Sequence, residues 1–137
     1  MNKKTVFLFC ILSLIVSVIA VSCVSTDNRA ETDSQFVIYL GTNDKYTNQP
    51  IYTPDVAKAK TKEILHKYFG GYTIQEAEGG WVDGDTVYQE YTLVIYLSDT
   101  DINRVHSASD ELIKIFNQSS VMIQTNPTIT EFYSGNV

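Results

Sequence analysis

The chain has 137 residues, of which 44% are hydrophobic and 19% charged, and its formal net charge is −6 at pH 7. This length and composition predict a single globular domain and exclude a multidomain enzyme and a disordered or collagen-like chain. The acidic balance, without a basic stripe interleaved with aromatic residues, argues against a nucleic-acid-binding protein.

The amino-terminal segment has the plan of an export signal. Lys3 and Lys4 precede an apolar run from Val6 to Val21. This run is shorter than the roughly 20 residues that cross a bilayer as a helix, so a signal peptide over residues 1–22 is the better interpretation. Its removal would take Lys3 and Lys4 away and make the remaining chain more acidic.

A lipid attachment site is expected directly after the signal peptide. Ala20-Val21-Ser22-Cys23 resembles a bacterial lipobox, in which cleavage precedes a cysteine that carries the lipid. Residues 23–35 would then be a lipidated cysteine followed by a flexible polar tether. We therefore expect an exported lipoprotein of the bacterial cell envelope, anchored to the membrane through Cys23. Ordinary cleavage after Ser22 is the alternative.

Residues 36–137 are expected to form the folded domain, which opens with a strand and a helix. Phe36 to Gly41 is a continuous run of apolar, largely β-branched and aromatic residues, typical of a buried strand. Thr53-Pro54-Asp55 has the residues of a helix start, with Thr53 as the N-cap. The helix is expected to run to about Phe69 and to end at Gly70-Gly71 as a C-cap pair.

A hairpin is predicted next. Tyr72 to Val82 forms its first strand, Asp83-Gly84-Asp85 its tight turn, and Thr86 to Leu97 its second strand. Alternation is clearest in the last of these segments, where apolar residues occupy both faces. The pattern is typical of a strand in the centre of a sheet.

A second helix and a fourth strand complete the predicted domain. Ser98 or Asp99 is the expected helix cap, and apolar side chains then recur at helical spacing up to Phe116. Val121 to Gln124 is the fourth strand, which Pro127 is expected to break. Residues 128–133 would form a last short strand or an ordered tail. The element order predicts an α+β ferredoxin-like βαββαβ fold, a four-stranded antiparallel sheet with two helices on one face.

Several segments resemble an uncharacterised bacterial family of short secreted or lipid-anchored α+β proteins, a domain of unknown function. They are FVIYLGTNDK, TP at the helix start, KYFGGYTIQEAEGGW and YTLVIYLSD. The resemblance covers Gln35 to Gln124 and implies a compact α+β domain. It implies no activity, cofactor or catalytic residue.

The sheet face without helices is the first candidate functional surface. Val37, Tyr39, Tyr88, Val94 and Tyr96 would form an aromatic patch there. Three occupants compete for it: a second copy of the chain in a homodimer, a ligand or protein partner, and the carboxyl-terminal residues 129–133.

The segment around Trp81 is the second candidate. Gly79-Gly80 within a strand predicts a bulge or a close backbone approach. In one interpretation Trp81 lines a pocket with Glu76 and Glu78 as polar contacts. In the other, Trp81 packs on the core of a distorted hairpin.

The sequence contains no motif that indicates catalysis or metal binding. His66 and His106 are expected on the surface, and the sequence has no metal-ligand spacing, phosphate loop or nucleophile motif. We therefore expect no cofactor and a non-enzymatic module that binds a ligand or protein through the open face and the Trp81 hairpin. The alternatives are a small enzyme on a dimeric ferredoxin-like scaffold, with Tyr39, Tyr96, Glu76 or Glu78 in acid–base chemistry, and a prophage-type surface lipoprotein.

Overall fold

A computed structural model describes residues 33–135 of the chain. The predicted signal peptide, Cys23 and most of the predicted tether lie outside this range. The described part contains six elements: β1 (Asp33–Gly41), α1 (Pro54–Tyr68), β2 (Thr73–Asp83), β3 (Thr86–Leu97), α2 (Ile102–Ile115) and β4 (Met122–Thr128).

The four strands form one antiparallel sheet in the order β2-β3-β1-β4. Each helix connects strands that are not adjacent, so the element order is βαββαβ and the predicted ferredoxin-like fold is confirmed. β1 and β3 are the central pair, with Ile38 opposite Ile95. Their double-sided apolar pattern follows from this central position.

The hydrophobic core lies between one face of the sheet and the two helices. Alternate residues of β1 and β3 point into it and meet one apolar stripe from each helix. Phe116 is fully buried, and its ring meets Tyr52 edge-on at 5.6 Å between centroids. Neither helix of the described part is long and apolar enough to span a membrane.

The ends of both helices differ from the prediction. Asp101, not Ser98 or Asp99, is the N-cap of α2, and its Oδ1 accepts hydrogen bonds from the backbone N–H groups of Asn103 (2.9 Å) and Arg104 (3.1 Å). The cap needs extended backbone directly before the first helical turn, a condition that Asp101 meets and that Asp99, at φ 55°, does not.

The end of α1 is a second difference. The predicted Gly70-Gly71 cap is wrong, because the chain leaves α1 through extended backbone at Phe69 (φ −129°, ψ 138°) and neither glycine is left-handed. The conformational freedom of these two glycines is therefore not needed to end the helix.

The fourth strand is longer than predicted. Pro127 does not break β4, which continues to Thr128 and places Pro127 opposite Ser34 of β1. An edge strand tolerates proline, because one row of its N–H groups has no partner strand. The following residues 129–135 form no strand, and Ile129, Phe132 and Tyr133 are 73–79% exposed. The tail therefore does not bury the open face.

Candidate functional site

The open face of the sheet carries the predicted aromatic patch. Tyr39, Tyr88 and Tyr96 lie on it, half-buried, while the smaller Val37 and Val94 beneath them are almost inaccessible, at 3% and 6% exposure. Two of the hydroxyl groups are held by amides on neighbouring strands at 3.1 Å, Tyr39 by Gln124 and Tyr96 by Gln75. The tyrosine rings are thus fixed in position, and part of each faces solvent.

Trp81 extends this surface along the hairpin. Its ring stacks on that of Tyr88, with centroids 4.3 Å apart and an interplanar angle of 18°, and 45% of the residue is exposed. Trp81 pairs with Tyr88, which lies outside the part of β3 that pairs with β1. The hairpin therefore projects beyond the end of β1. The ring pair forms a flat, partly exposed platform outside the core.

The two glycines before Trp81 allow a close approach and form no bulge. The β2–β3 register is unbroken from Thr73↔Tyr96 to Asp83↔Thr86. A Cβ on Gly79 would come within 3.0 Å of the Thr92 hydroxyl, and one on Gly80 would lie 2.9 Å from the Tyr88 carbonyl oxygen. Larger residues here would push the neighbouring strand groups aside.

Glu76 and Glu78 lie on the opposite face from Trp81. Strand alternation places residues 76 and 78 on the helix side, so neither side chain lines a pocket with the indole, contrary to the first of the two sequence-based interpretations. Glu76 pairs with Lys58 of α1 and accepts a hydrogen bond of 2.8 Å from the Tyr91 hydroxyl. The hydrogen bond from Lys58 holds the pKa of Glu76 below its ordinary value, and burial is the main cause that raises the pKa of Tyr91 to about 12.

Glu90 is the carboxylate that the structure brings to the open face instead. It follows Tyr88 on the same face of β3, and its carboxyl group reaches across to Gly41 of β1. All three carboxyl atoms lie within 3.0 Å of the position that a Cβ on Gly41 would occupy, so only glycine leaves room for this conformation. The backbone N–H of Asn43 donates a hydrogen bond of 3.3 Å to Glu90 Oε2.

The loop after β1 forms the floor beside Glu90. Asn43 is only 8% exposed, and its Nδ2 donates hydrogen bonds to the carbonyl oxygens of Asn48 (3.1 Å) and Gln89 (3.2 Å). Gln118, just after α2, donates from Nε2 to the Asn43 carbonyl oxygen. The Oδ1 atom of Asn43 is buried and has no hydrogen-bond partner among the described residues. The loop therefore holds one buried acceptor without a hydrogen-bond partner among residues 33–135.

These groups line one cleft of about 660 Å³, which we call the Glu90 cleft. Its walls combine one carboxylate, one ammonium group, aromatic rings and amides, supplied by Glu90, Lys45, Tyr39, Trp81, Asn43 and Gln118. A carboxylate beside a flat aromatic platform can hold a cationic centre and stack a planar ring. Within residues 33–135 no group of three or more His, Cys, Asp and Glu side chains could hold a metal ion.

Strand alternation places Glu90 on the same face of β3 as Tyr88, but the sequence analysis did not single it out. The sequence does contain a signal for Glu90: it is the one ionisable carboxylate in the row of aromatic and β-branched residues on this face of β3. The position of Gly41 opposite the carboxyl group depends on the pairing of β1 with β3, which no local pattern contains. Asn43 and Lys45 follow Gly41 in the chain, so the same pairing of β1 with β3 brings them to the cleft.

Known structures match the fold of the chain. A phage SAM lyase in complex with S-methyl-5′-thioadenosine aligns with a TM-score of 0.56 and 20% sequence identity over 74% of this chain and 88% of that chain. The apo state of a phage SAM lyase aligns with a TM-score of 0.54 and 21% identity over 74% and 87% of the two chains.

A periplasmic divalent cation tolerance protein, CutA from Archaeoglobus fulgidus, aligns with a TM-score of 0.49 and 10% identity over 73% of this chain and 87% of that chain. No family model and no curated protein matches the sequence. At these identities the structural likeness establishes the fold alone.

Proposed function

We propose that this protein is a binding module for a small organic cation that carries a planar ring, and that the ligand occupies the Glu90 cleft. The observation that carries the proposal is the Glu90 carboxylate, which lies over Gly41 beside the Trp81–Tyr88 platform. Gly41 makes room for this charge on the open sheet face, where the backbone N–H of Asn43 holds the carboxylate. A charged acceptor such as this carboxylate forms stronger hydrogen bonds with a ligand than a neutral acceptor does.

A nucleoside sulfonium or thioether is the ligand class that the proposal favours. Its purine would stack on Trp81, and a sulfonium or ammonium centre would lie near Glu90. The phage SAM lyase bound to S-methyl-5′-thioadenosine supports this choice as the first compound class to test. The net negative charge of the chain also favours association with a cation.

A small enzyme acting on SAM is the second candidate, and the phage SAM lyase structures are the observation that favours it. Release of the neutral thioether from SAM by elimination breaks one C–S bond, whose electron pair goes to sulfur, while a base takes a proton from the neighbouring carbon and a C=C bond forms in the fragment that leaves. Glu90 is the carboxylate placed to accept that proton. In this hypothesis Glu90 takes the acid–base role for which the sequence analysis had named Tyr39, Tyr96, Glu76 or Glu78.

Fluorescence titration tests the binding proposal, because Trp81 is the single tryptophan of the chain. SAM and S-methyl-5′-thioadenosine should both quench its emission saturably. The Glu90→Gln variant should lose about tenfold or more in affinity for SAM, the range of a charge-assisted hydrogen bond, and much less for the neutral thioether. Glu78→Gln is the matched control, since its carboxyl group lies on the opposite face.

The outcomes separate the two candidates. If neither compound quenches Trp81, or if Glu90→Gln and Glu78→Gln bind SAM equally, the binding proposal is wrong. Chromatography of SAM incubated with the protein tests the enzyme hypothesis: formation of S-methyl-5′-thioadenosine that depends on Glu90 supports it. Saturable binding without product would support the binding module and contradict the enzyme hypothesis.

Attachment to the bacterial cell envelope through a lipid on Cys23 is part of the same proposal. It is supported by the short apolar run, the Ala20–Cys23 lipobox resemblance and the polar residues that follow. Cells fed a clickable palmitate analogue should label the wild-type protein and not Cys23→Ser. Equal labelling of both proteins, or none of the wild type, would contradict lipid anchoring.

A homodimer through the open face is the competing use of the same surface. The aromatic rings that the open face leaves partly exposed, Tyr39, Tyr88, Tyr96 and Trp81, support it. Native mass spectrometry of the protein with and without SAM distinguishes the two uses. A dimer that SAM dissociates would mean that ligand and second copy compete for the face.

A further inference from the structure

A second cleft lies at the other end of the open face. It forms where β1 and β2 begin and β3 ends, has a volume of about 540 Å³, and shares no lining residue with the Glu90 cleft. We propose that this cleft, which we call the Asp99 cleft, binds a neutral saccharide. The side chains that carry the inference are Gln35, Tyr72, Tyr96, Ser98, Asp99 and Phe132.

The negative charge of the Asp99 cleft disfavours anionic ligands. Asp99 is the one charged residue among its lining residues, and no lysine or arginine is present there. A phosphate or carboxylate ligand would meet repulsion without a compensating cation. A carboxylate accepts hydrogen bonds from two adjacent hydroxyl groups, and the amide of Gln35 and the hydroxyl of Ser98 can each donate and accept. This set matches the hydroxyl groups of a sugar.

Aromatic rings supply the second half of saccharide recognition. Tyr72, Tyr96 and Phe132 line the cleft, and a ring face packs well on the C–H groups of a pyranose. The Tyr72 hydroxyl is hydrogen-bonded to His66 Nε2 at 2.7 Å, and the Tyr96 hydroxyl to Gln75 at 3.1 Å, so both rings are held in place. Phe132 is 79% exposed and lies at the rim, where a ligand would cover it.

Two glycines of the cleft have no structural explanation in the fold. A Cβ on Gly70 or Gly71 would meet no atom within 4 Å, and neither residue has a left-handed backbone. Glycine costs backbone entropy on folding relative to alanine. Since neither packing nor conformation requires them, their role in the proposal is to keep the cleft open and to expose backbone amides to the ligand.

Asp99 itself has φ 55°, a conformation that non-glycine residues other than Asn and Asp seldom adopt. Asparagine tolerates the same backbone, so Asp99→Asn removes the charge and keeps the geometry. This makes it the sharpest variant for the Asp99 cleft.

Amide NMR of the full ¹⁵N-labelled chain, in a detergent without a sugar headgroup, tests the proposal. Cellobiose, maltose and N,N′-diacetylchitobiose are the probes, each titrated to about 10 mM, ten times a weak Kd of about 1 mM. At least one should shift the Gly70 and Gly71 amides saturably and leave the Trp81 indole signal unchanged. Asp99→Asn and Gly71→Ala should each weaken that binding by about tenfold or more.

Glu90→Gln is the control, because it alters the other cleft and should leave saccharide binding unchanged. The proposal is wrong if none of the three disaccharides shifts Gly70 or Gly71, if Asp99→Asn and Gly71→Ala both bind like the wild type, or if glucose 6-phosphate binds more tightly than the neutral sugars. None of these outcomes depends on whether SAM binds at Glu90, so the two proposals fail separately.

Discussion

Substitution of Gly41 by alanine tests whether the Glu90 carboxylate does what the cleft geometry indicates. Gly41 and Glu90 are 49 positions apart in the sequence, and in the fold the carboxyl group lies against the Cα of Gly41. A new methyl group would overlap all three carboxyl atoms. Because those atoms are the far end of a flexible side chain, the side chain rather than the strand should move.

The expected magnitudes differ for binding and for stability. Moving the carboxylate removes a charged contact with the ligand, a loss of about 1.5–3 kcal/mol of binding free energy, or roughly ten- to 100-fold in the Kd for SAM. It also breaks the long hydrogen bond from the Asn43 N–H, which costs about 0.5–1.5 kcal/mol of folding stability. Alanine in place of a strand glycine recovers about 0.5–1 kcal/mol of backbone entropy. The free energy of unfolding should therefore stay within about 1 kcal/mol of the wild type, a Tm shift of less than about 8 °C.

Two assays on the same protein decide this prediction. Trp81 quenching gives the Kd for SAM, and circular dichroism gives the Tm. Gly70→Ala is the matched control, since a Cβ there meets no atom within 4 Å and lies outside the Glu90 cleft. Wild-type affinity in Gly41→Ala, or a Tm drop far beyond that of the control, would refute the argument that Glu90 is a movable ligand contact.

Three further predictions concern stability. Phe116→Ala removes a fully buried ring and should cost about 3–5 kcal/mol in urea unfolding; a loss below about 1 kcal/mol would contradict its place in the core. Asp101→Ala should cost about 1 kcal/mol by losing the N-cap of α2, while Asp101→Asn should cost much less, and equal losses would contradict capping. Because hydrogen bonding to Lys58 lowers the pKa of Glu76 below 4.5, its contribution to stability is present above pH 4.5 and disappears as the pH falls through the folded-state value. Wild type and Glu76→Gln should therefore differ in urea midpoint at pH 7, the difference should shrink as the pH falls below 4.5, and a constant difference would contradict this linkage.

The candidate site was only partly predictable from the sequence, and the residues show why. Tyr39, Tyr88 and Tyr96 were placed on the open face because strand alternation is a local property. Glu76 and Glu78 were assigned to Trp81 by proximity along the chain, whereas alternation in the same strand sends them to the helix side, where Glu76 meets Lys58. Proximity in sequence is a poor guide within a strand, since adjacent side chains point in opposite directions.

The amino-acid sequence alone determined the number, order and type of the elements and hence the ferredoxin-like fold. Hydrophobic periodicity and turn residues carry that information within short windows. Only the tertiary structure decided that Glu90 lies over Gly41, that Pro127 is accommodated in an edge strand, and that Gly70 and Gly71 border an open cleft. These features depend on strand register and on which strands become edges, and both are set by packing between segments far apart in the chain.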